Sequence, residues 1–221
     1  MDLKDFHDTV RFFVNKEQGG WLSPEEIDRN THLAQMMWFN TCLPIYGKNQ
    51  KSTNPLSPFS TKLDFTTSSD GIVTLPTTEG VDPYYEFLLS VSISYYDGTK
   101  TRYKPIKILS EDEIAERLDS QILEPTSNDP VGLETTPGII QLYPTTTFSG
   151  FAYYLRRPKK PLYSYTQSGR AITYNQGSSV QLEWAETSIN KLLMKTINMF
   201  GVNLSDELIL QYTELKNSQD I

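Results

Sequence analysis

Cysteine and histidine are scarce in this chain, and their scarcity excludes several kinds of site. Cys42 is the single cysteine among 221 residues, so neither an intrachain disulfide nor a cysteine-based zinc site can form. We expect Cys42 to pack as a small hydrophobic side chain. His7 and His32 form no His-x-x-x-His or His-Glu pair, which argues against catalytic zinc, and we expect both near the surface. No metal and no cofactor is predicted.

Long apolar runs are also missing. No segment approaches the length of a membrane-spanning helix. The first residues, MDLKDFHDTV, lack the basic region and apolar core of a signal peptide. We therefore expect no membrane contact and a protein made in a reducing compartment.

The sequence lacks the common enzyme motifs. It has no Gly-x-Ser-x-Gly elbow, and Gly19-Gly20 is not followed by the Lys-Ser or Lys-Thr of a phosphate-binding loop. Glu183 and Glu186 could share one face of a helix start and serve acid–base chemistry or bind a cation. Acidic residues are common at helix N-termini in any case, because the helix dipole is positive there. We predict that the chain is not an enzyme.

Acidic and aromatic residues are abundant. The net charge is −7, and 12% of the residues are aromatic, including 13 tyrosines. An acidic protein does not wrap DNA as its main task, because phosphate binding needs clustered cations. Tyrosine in such numbers suggests half-buried β-structure or a contact surface, because its ring is apolar and its hydroxyl is polar.

Helical signals lie at both ends of the chain. Apolar spacing from Leu3 to Val14 predicts one helix, and Ser23-Pro24-Glu25-Glu26 is a capping box that starts a second. These form a predicted helical hairpin over residues 1–46. Residues 183–221 carry two further amphipathic segments, separated near Gly201.

The middle of the chain, residues 47–182, has the pattern of a β-rich body. Ser-Ser-Asp-Gly at 68–71 predicts a hairpin between strands at 62–66 and 72–75, and Asp97-Gly98 predicts a second hairpin. Further strands are expected at 139–143, 150–156, 171–174 and 180–182. Ser110 opens a short helix near 111–121 through a second capping box. The predicted fold class is α+β, with an N-terminal helical hairpin, a central antiparallel β-rich body and a C-terminal helix pair, together forming one structural unit.

A basic, proline-bracketed loop is the strongest candidate contact site. Tyrosines flank a run of cations and prolines here, and the candidate residues are Tyr153, Tyr154, Arg156, Arg157, Pro158, Lys159, Lys160 and Pro161. The loop could be a solvated turn between strands, a surface that pairs with carboxylates of a partner protein, or a site for single-stranded nucleic acid. The polar segments 47–60 and 125–138 have the composition of loops and are further candidate contact segments.

Three segments together resemble a family of virion proteins. These are FHDTVRFFVNKEQGGWLSPEEIDRNTHLAQMMWF, YYLRRPKKPLYSY and SSVQLEWAETSINKLLMKTINMFGVNLSDELILQYTELK. Their order resembles the head–tail connector or tail ring proteins of crAss-like phages, tailed phages of Bacteroidetes. The resemblance implies a virion structural protein, made in the host cytoplasm, that forms a ring below the portal. Its implied partners are copies of itself, the portal protein, neighbouring tail or ring proteins and, in passing, the dsDNA in the channel.

Two other functions remain open at this point. One is a monomeric binding module for carbohydrate or a phage protein, which would show exposed aromatic side chains clustered together. The other is a hydrolase, which would need two carboxylates facing each other across a cleft, one of them with a raised pKa.

Overall fold

The computed structural model describes residues 1–18, 22–46, 55–77, 84–168 and 171–202. The chain forms two compact units, of which one contains residues 1–58 and 158–221 and the other residues 59–157. The second unit is therefore an insertion in the sequence of the first, and both are mixtures of helix and strand. The molecule is an α+β protein with four described helices and a sheet of seven strands.

The described part of the first unit contains three helices, α1 (Leu3–Gln18), α2 (Pro24–Cys42) and α4 (Glu186–Met199). It also contains a two-stranded antiparallel pair, β8 (Tyr165–Ser168) and β9 (Ala171–Tyr174). The predicted capping box starts α2, since Ser23 Oγ accepts from the Glu26 N–H and the Glu26 carboxylate accepts from the Ser23 N–H. Apolar side chains at helical spacing form its core, and those with no exposed surface include Leu3, Phe6, Val10, Ile27, Ala34, Phe39, Leu192, Leu193 and Ile197.

The second unit, as far as its residues are described, holds the seven-stranded sheet and one helix. The strands are β1 (Ser60–Thr66), β2 (Ile72–Thr74), β3 (Tyr85–Tyr96), β4 (Thr101–Ile108), β5 (Val131–Thr136), β6 (Ile139–Tyr143) and β7 (Ser149–Arg156). Their order in the sheet is β1-β7-β3-β4-β5-β6-β2. Helix α3 (Glu111–Asp119) follows β4 and starts with the predicted capping box at Ser110. All strand pairs are antiparallel except β4 with β5, which pair in parallel.

The seven-stranded sheet is strongly curled, because its two edge strands are consecutive in the sequence. In a flat sheet the first and seventh strands would lie about 29 Å apart. The chain from Thr66 to Ile72 spans at most about 21 Å. At the β1 end, Thr67 donates its N–H to Phe148 O at 2.8 Å, and at the β2 end Leu142 donates its N–H to Gly71 O at 2.8 Å. The curled sheet encloses one apolar cluster, which includes Val73, Leu75, Val91, Ile93, Ile140, Leu142, Ala152 and Tyr154.

Several sequence predictions for the β-region are wrong. Strands β1 and β2 do not form a hairpin with each other, since β1 pairs with β7 and β2 pairs with β6. The segment 125–138 contains β5 and is not simply a loop. The body is not wholly antiparallel, and residues 180–182 contribute only a single bridge from Val180 to Leu162.

Other predictions are confirmed. The Asp97-Gly98 turn joins β3 to β4, and Gly98 has a φ of 89°. The capping boxes at Ser23 and Ser110 both form, and Gly201, with a φ of 80°, directly follows the last turn of α4. The predicted final helix, the end of α1 at Gly19-Gly20 and most of the 47–60 segment lie outside the described residues. Among the helices that are described, none has both the length and the apolar character needed to cross a bilayer.

Candidate contact surfaces

The two arginines of the basic loop are engaged within the second unit. Two guanidinium nitrogens of Arg157 donate to Glu86 Oε2, at 2.7 and 2.8 Å. The same guanidinium lies 4.5 Å from the ring centroid of Tyr84, whose carbonyl accepts the Arg157 N–H at 2.9 Å. Arg156 lies over the ring of Phe59, 5.4 Å from its centroid. Both arginine side chains are half-buried, so part of each guanidinium surface already contacts residues of the second unit.

The remaining loop residues belong to the first unit, where a fixed backbone presents two lysines. Pro158 and Pro161 are buried, whereas Lys159 and Lys160 are exposed. The N–H of Lys159 donates to Glu183 Oε2 at 3.1 Å. Its carbonyl accepts from Gln35 Nε2 at 3.5 Å. The prolines and these backbone hydrogen bonds fix the main chain, and both lysines are exposed.

Glu183 therefore has a local structural role. It lies before α4, which begins at Glu186, and its carboxylate accepts from the Lys159 backbone. The expectation that Glu183 and Glu186 share one helix start is wrong. Among the described residues, no group of three or more His, Cys, Asp or Glu side chains could hold a metal ion.

The two tyrosines of the candidate site point to opposite sides of β7. Tyr154 is fully buried in the core of the second unit and contacts Tyr85, with 5.9 Å between ring centroids. Burial raises the pKa of its phenol. Tyr153 is 38% exposed on the outer side of the sheet. The alternation of side chains along a strand separates these neighbours, so only Tyr153 is available for contact with another molecule.

Tyr153 belongs to a cluster of aromatic rings on the outer side of the sheet. The ring of Phe151 lies 5.3 Å from that of Tyr153 and 5.0 Å from that of Tyr103. The ammonium of Lys62 lies 4.8 Å above the Phe151 ring. We call Lys62, Tyr103, Phe151 and Tyr153 the aromatic face. It spans β1, β7 and β4, with 57% of Tyr103 exposed.

Small side chains on β3 allow the aromatic face to form. Strand β3 lies between β7 and β4, and its Ser92 pairs with Phe151 on one side and with Pro105 on the other. Because a serine side chain is short, the rings of Phe151 and Tyr103 meet across it. Ser94 lies directly opposite Tyr103, and its hydroxyl donates to Ser149 O at 2.9 Å. The rings are therefore bordered by hydroxyl groups.

The chemistry of this face suits contact with another molecule. Exposed aromatic rings offer apolar area and a π surface. Lys62 also pairs with Asp64 at 2.7 Å, so the face carries both signs of charge. The hydrogen bond to Asp64 is the main cause of the raised pKa of Lys62. Such a mixture of rings, hydroxyls and paired charges is typical of protein and carbohydrate contact surfaces.

The interior of the first unit contains a cluster of polar side chains, and one of them is His7. His7 has no exposed surface, so the expectation that it lies near the surface is wrong. Its Nε2 lies 2.9 Å from Asp28 Oδ1, and Asp28 Oδ2 accepts the Tyr163 N–H at 2.8 Å. The ring of Tyr163 stacks on the imidazole with 4.4 Å between centroids. This cluster connects α1, α2 and the segment before β8.

Cys42 and Trp184 behave as structural residues. Cys42 is buried, as expected, and burial raises the pKa of its thiol. The indole N–H of Trp184 donates to Gln35 Oε1 at 2.9 Å. Gln35 thereby joins Trp184 to the carbonyl of Lys159. The lysine-bearing segment is thus held against buried side chains of the same unit.

Sequence reasoning missed Phe151, Tyr103 and Lys62. The alternation in Phe151-Ala152-Tyr153-Tyr154 does indicate that Phe151 and Tyr153 share a side of β7. Nothing in the sequence shows that Lys62 on β1 and Tyr103 on β4 lie on either side of β7 and close to Phe151, because that depends on the order of strands in the sheet. Comparison with known proteins found no matching family model and no matching curated protein.

Proposed function

We propose that this chain is a virion structural protein that works by assembly, as a subunit of a head–tail connector or tail ring below the portal. It would form part of the channel for the genome and perform no catalysis. The resemblance of its end segments and of YYLRRPKKPLYSY to such proteins supports the proposal. The proposed location of the protein is the virion. The C-terminal helix pair and the division into residues 1–46, 47–182 and 183–221 remain predictions.

The aromatic face is the observation that carries this proposal. A cluster of rings on the outer side of β7 and β4, with Tyr103 more than half exposed, is what a subunit needs for contact with neighbours. The individual contacts need not be strong, because copies repeated around a ring multiply them. The proposed partners are copies of this chain, the portal protein and adjacent tail or ring proteins, with passing contact to dsDNA.

Light scattering combined with negative-stain imaging of the purified chain tests this function. We expect a closed ring with a central channel, or a monomer that closes into a ring when the portal protein is added. A chain that stays monomeric and does not bind the portal protein would contradict the proposal.

The same aromatic face favours a second candidate, a monomeric binding module for carbohydrate or for another phage protein. Here the rings of Tyr103, Phe151 and Tyr153 would stack on the ligand, and the half-buried hydroxyl of Ser94 would accept a hydrogen bond from it. Titration with soluble oligosaccharides separates the candidates. Saturable binding that is lost in Tyr103→Ser, in a chain that remains monomeric, would favour the module.

A further inference from the structure

Three large aliphatic side chains are exposed at the end of α3. The exposed fraction is 46% for Leu118, 92% for Ile122 and 58% for Leu123. Single exposed aliphatic residues are common, but three within six positions form a patch. We call these three residues the α3 knob.

The α3 knob is held in a defined conformation. The hydroxyl of Ser120 accepts the N–H groups of Ile122 and Leu123, at 3.3 and 3.1 Å. Helix α3 itself is fixed by its capping box and by Ile114, which is buried against Leu109. An apolar group that is exposed yet pre-organised loses little conformational freedom when it binds.

Strong negative charge surrounds the knob. Residues 111–124 contain six carboxylates and one arginine, so they carry a net charge of −5 in a chain whose total is −7. Glu116, Asp119 and Glu124 are all exposed next to the knob in sequence. The complementary surface is therefore apolar with cations beside it.

The first unit of the same chain has an exposed apolar side chain with cations beside it. Lys159 and Lys160 are exposed, and Leu162, two residues further, is 51% exposed. The buried Pro158 and Pro161 and the two backbone hydrogen bonds of Lys159 fix its main chain. We call Lys159, Lys160 and Leu162 the lysine patch.

We propose that the α3 knob of one copy docks on the lysine patch of a second copy. The aliphatic side chains would pack on Leu162 and the lysine stems, and the ammonium groups would pair with Glu116 and Asp119. The knob and the patch are different surfaces, so the contact is head-to-tail and generates rings or filaments. This inference rests on the proposed function, because it supplies one interface between subunits of the proposed assembly, in addition to the aromatic face.

Site-directed disulfide formation tests this pairing directly. One preparation carries Ile122→Cys and the other, with a different tag, carries Lys160→Cys, while the native Cys42 is buried in both. After mixing and mild oxidation we expect a disulfide-linked heterodimer to form about tenfold faster than in a control mixture. The control pairs Lys160→Cys with Thr147→Cys, at an exposed position outside the knob. Equal rates in the two mixtures would overturn the inference.

Charge reversal tests the same contact independently. Misfolding could weaken assembly in a single reversal, but it could not explain restored assembly when both reversals are combined. Lys159→Glu with Lys160→Glu, or Glu116→Lys with Asp119→Lys, should each raise the concentration needed for assembly about tenfold or more. All four substitutions in one chain should restore assembly, because complementarity is restored. Assembly that is unaffected by either reversal would overturn this interface and leave the proposed ring function intact. A chain that never self-associates, but binds the portal protein, would likewise overturn only this interface.

Discussion

The carboxylate of Asp28 joins His7 to the backbone of Tyr163 in the interior of the first unit. One oxygen lies 2.9 Å from His7 Nε2, and the other accepts the Tyr163 N–H at 2.8 Å. Asp28 is 4% exposed and His7 is fully buried. Buried polar groups of this kind stabilise a fold only while each has its partner, since an unpaired buried donor bears the full cost of desolvation.

We expect Asp28→Ala to destabilise the first unit by ~3 kcal/mol, because it leaves two buried groups without their partner. Asp28→Asn should cost less, because its amide can still accept from Tyr163. All three tryptophans of the chain belong to this unit, so tryptophan fluorescence during urea unfolding measures its stability. The matched control is Asp8→Ala, at a half-exposed carboxylate that pairs with Lys4 at 3.8 Å. Equal effects of Asp28→Ala and Asp8→Ala would contradict this account.

Gly150 allows β7 to approach β3 closely. A Cβ atom at this position would clash with the carbonyl oxygen of Ser92 and would meet Ile93 Cα at 2.9 Å. Because these are backbone atoms, they cannot move without disturbing the β3–β7 pairing. We expect Gly150→Ala to destabilise the second unit by ~3 kcal/mol. Hydrogen exchange of the β3 and β7 amides measures the effect.

Gly98→Ala is the control for the Gly150 variant. Gly98 has a φ of 89°, but a Cβ atom at this position would meet nothing within 4 Å, so only backbone strain applies. That strain costs about 1–2 kcal/mol. If Gly98→Ala were as damaging as Gly150→Ala, close approach of the strands would not be the reason for the glycine at 150.

The parts of the fold that sequence reasoning predicted are those determined by local contacts. The capping boxes at Ser23 and Ser110 and the Asp97-Gly98 hairpin each depend on residues three or four apart, and all three form. The Ser-Ser-Asp-Gly turn at 68–71 failed as a hairpin signal. It indicates where the chain turns, but the partners of β1 and β2 are β7 and β6, more than 60 residues away in sequence.

In the candidate site, too, the features that depend on local sequence were predicted, and those that depend on strand pairing were not. The exposure of Lys159 and Lys160 follows from their charge, and the basic loop was identified on that ground. That Arg157 is engaged with Glu86 depends on the pairing of β3 with β7, which no local pattern encodes. The aromatic face likewise combines residues from three strands that are separated in sequence, so the sequence indicated an abundance of tyrosine but not its location.

The Asp97 turn should make stability depend on pH in the acid range. The N–H of Lys100, and after it the guanidinium of Arg102, lower the pKa of Asp97 below its ordinary value of 3.8. A lowered pKa in the folded state means that the stabilisation is fully present above the unfolded value and is lost as the pH falls through the folded value. We expect the thermal midpoint of Asp97→Asn to fall less steeply than that of the wild type between pH 5 and 3. Equal slopes would show that this carboxylate does not contribute.

Ser110 should contribute to the stability of α3 through its cap. Its hydroxyl accepts from the Glu113 N–H at 3.4 Å, and the Glu113 carboxylate accepts from the Ser110 N–H at 3.0 Å. We expect Ser110→Ala to lower the free energy of unfolding by ~1 kcal/mol, as measured by thermal unfolding. Ser69→Ala, at an exposed position between β1 and β2, should leave the midpoint within error. A midpoint unchanged in both variants would mean that the cap adds nothing to the stability of the unit.

Substitutions in the aromatic face should distinguish an effect on the proposed assembly from an effect on folding. Tyr103 and Tyr153 point outward, so replacing both with serine removes apolar contact area without opening the core. We expect Tyr103→Ser with Tyr153→Ser to keep the thermal midpoint within a few degrees while weakening assembly, or portal binding, about tenfold or more. Tyr95→Ser, which removes a ring that is 47% exposed outside the aromatic face, is the matched control. If the Tyr95 variant weakened assembly equally, or the double variant assembled normally, the aromatic face would not be a contact surface, and the α3 knob and the lysine patch would remain as the proposed contacts.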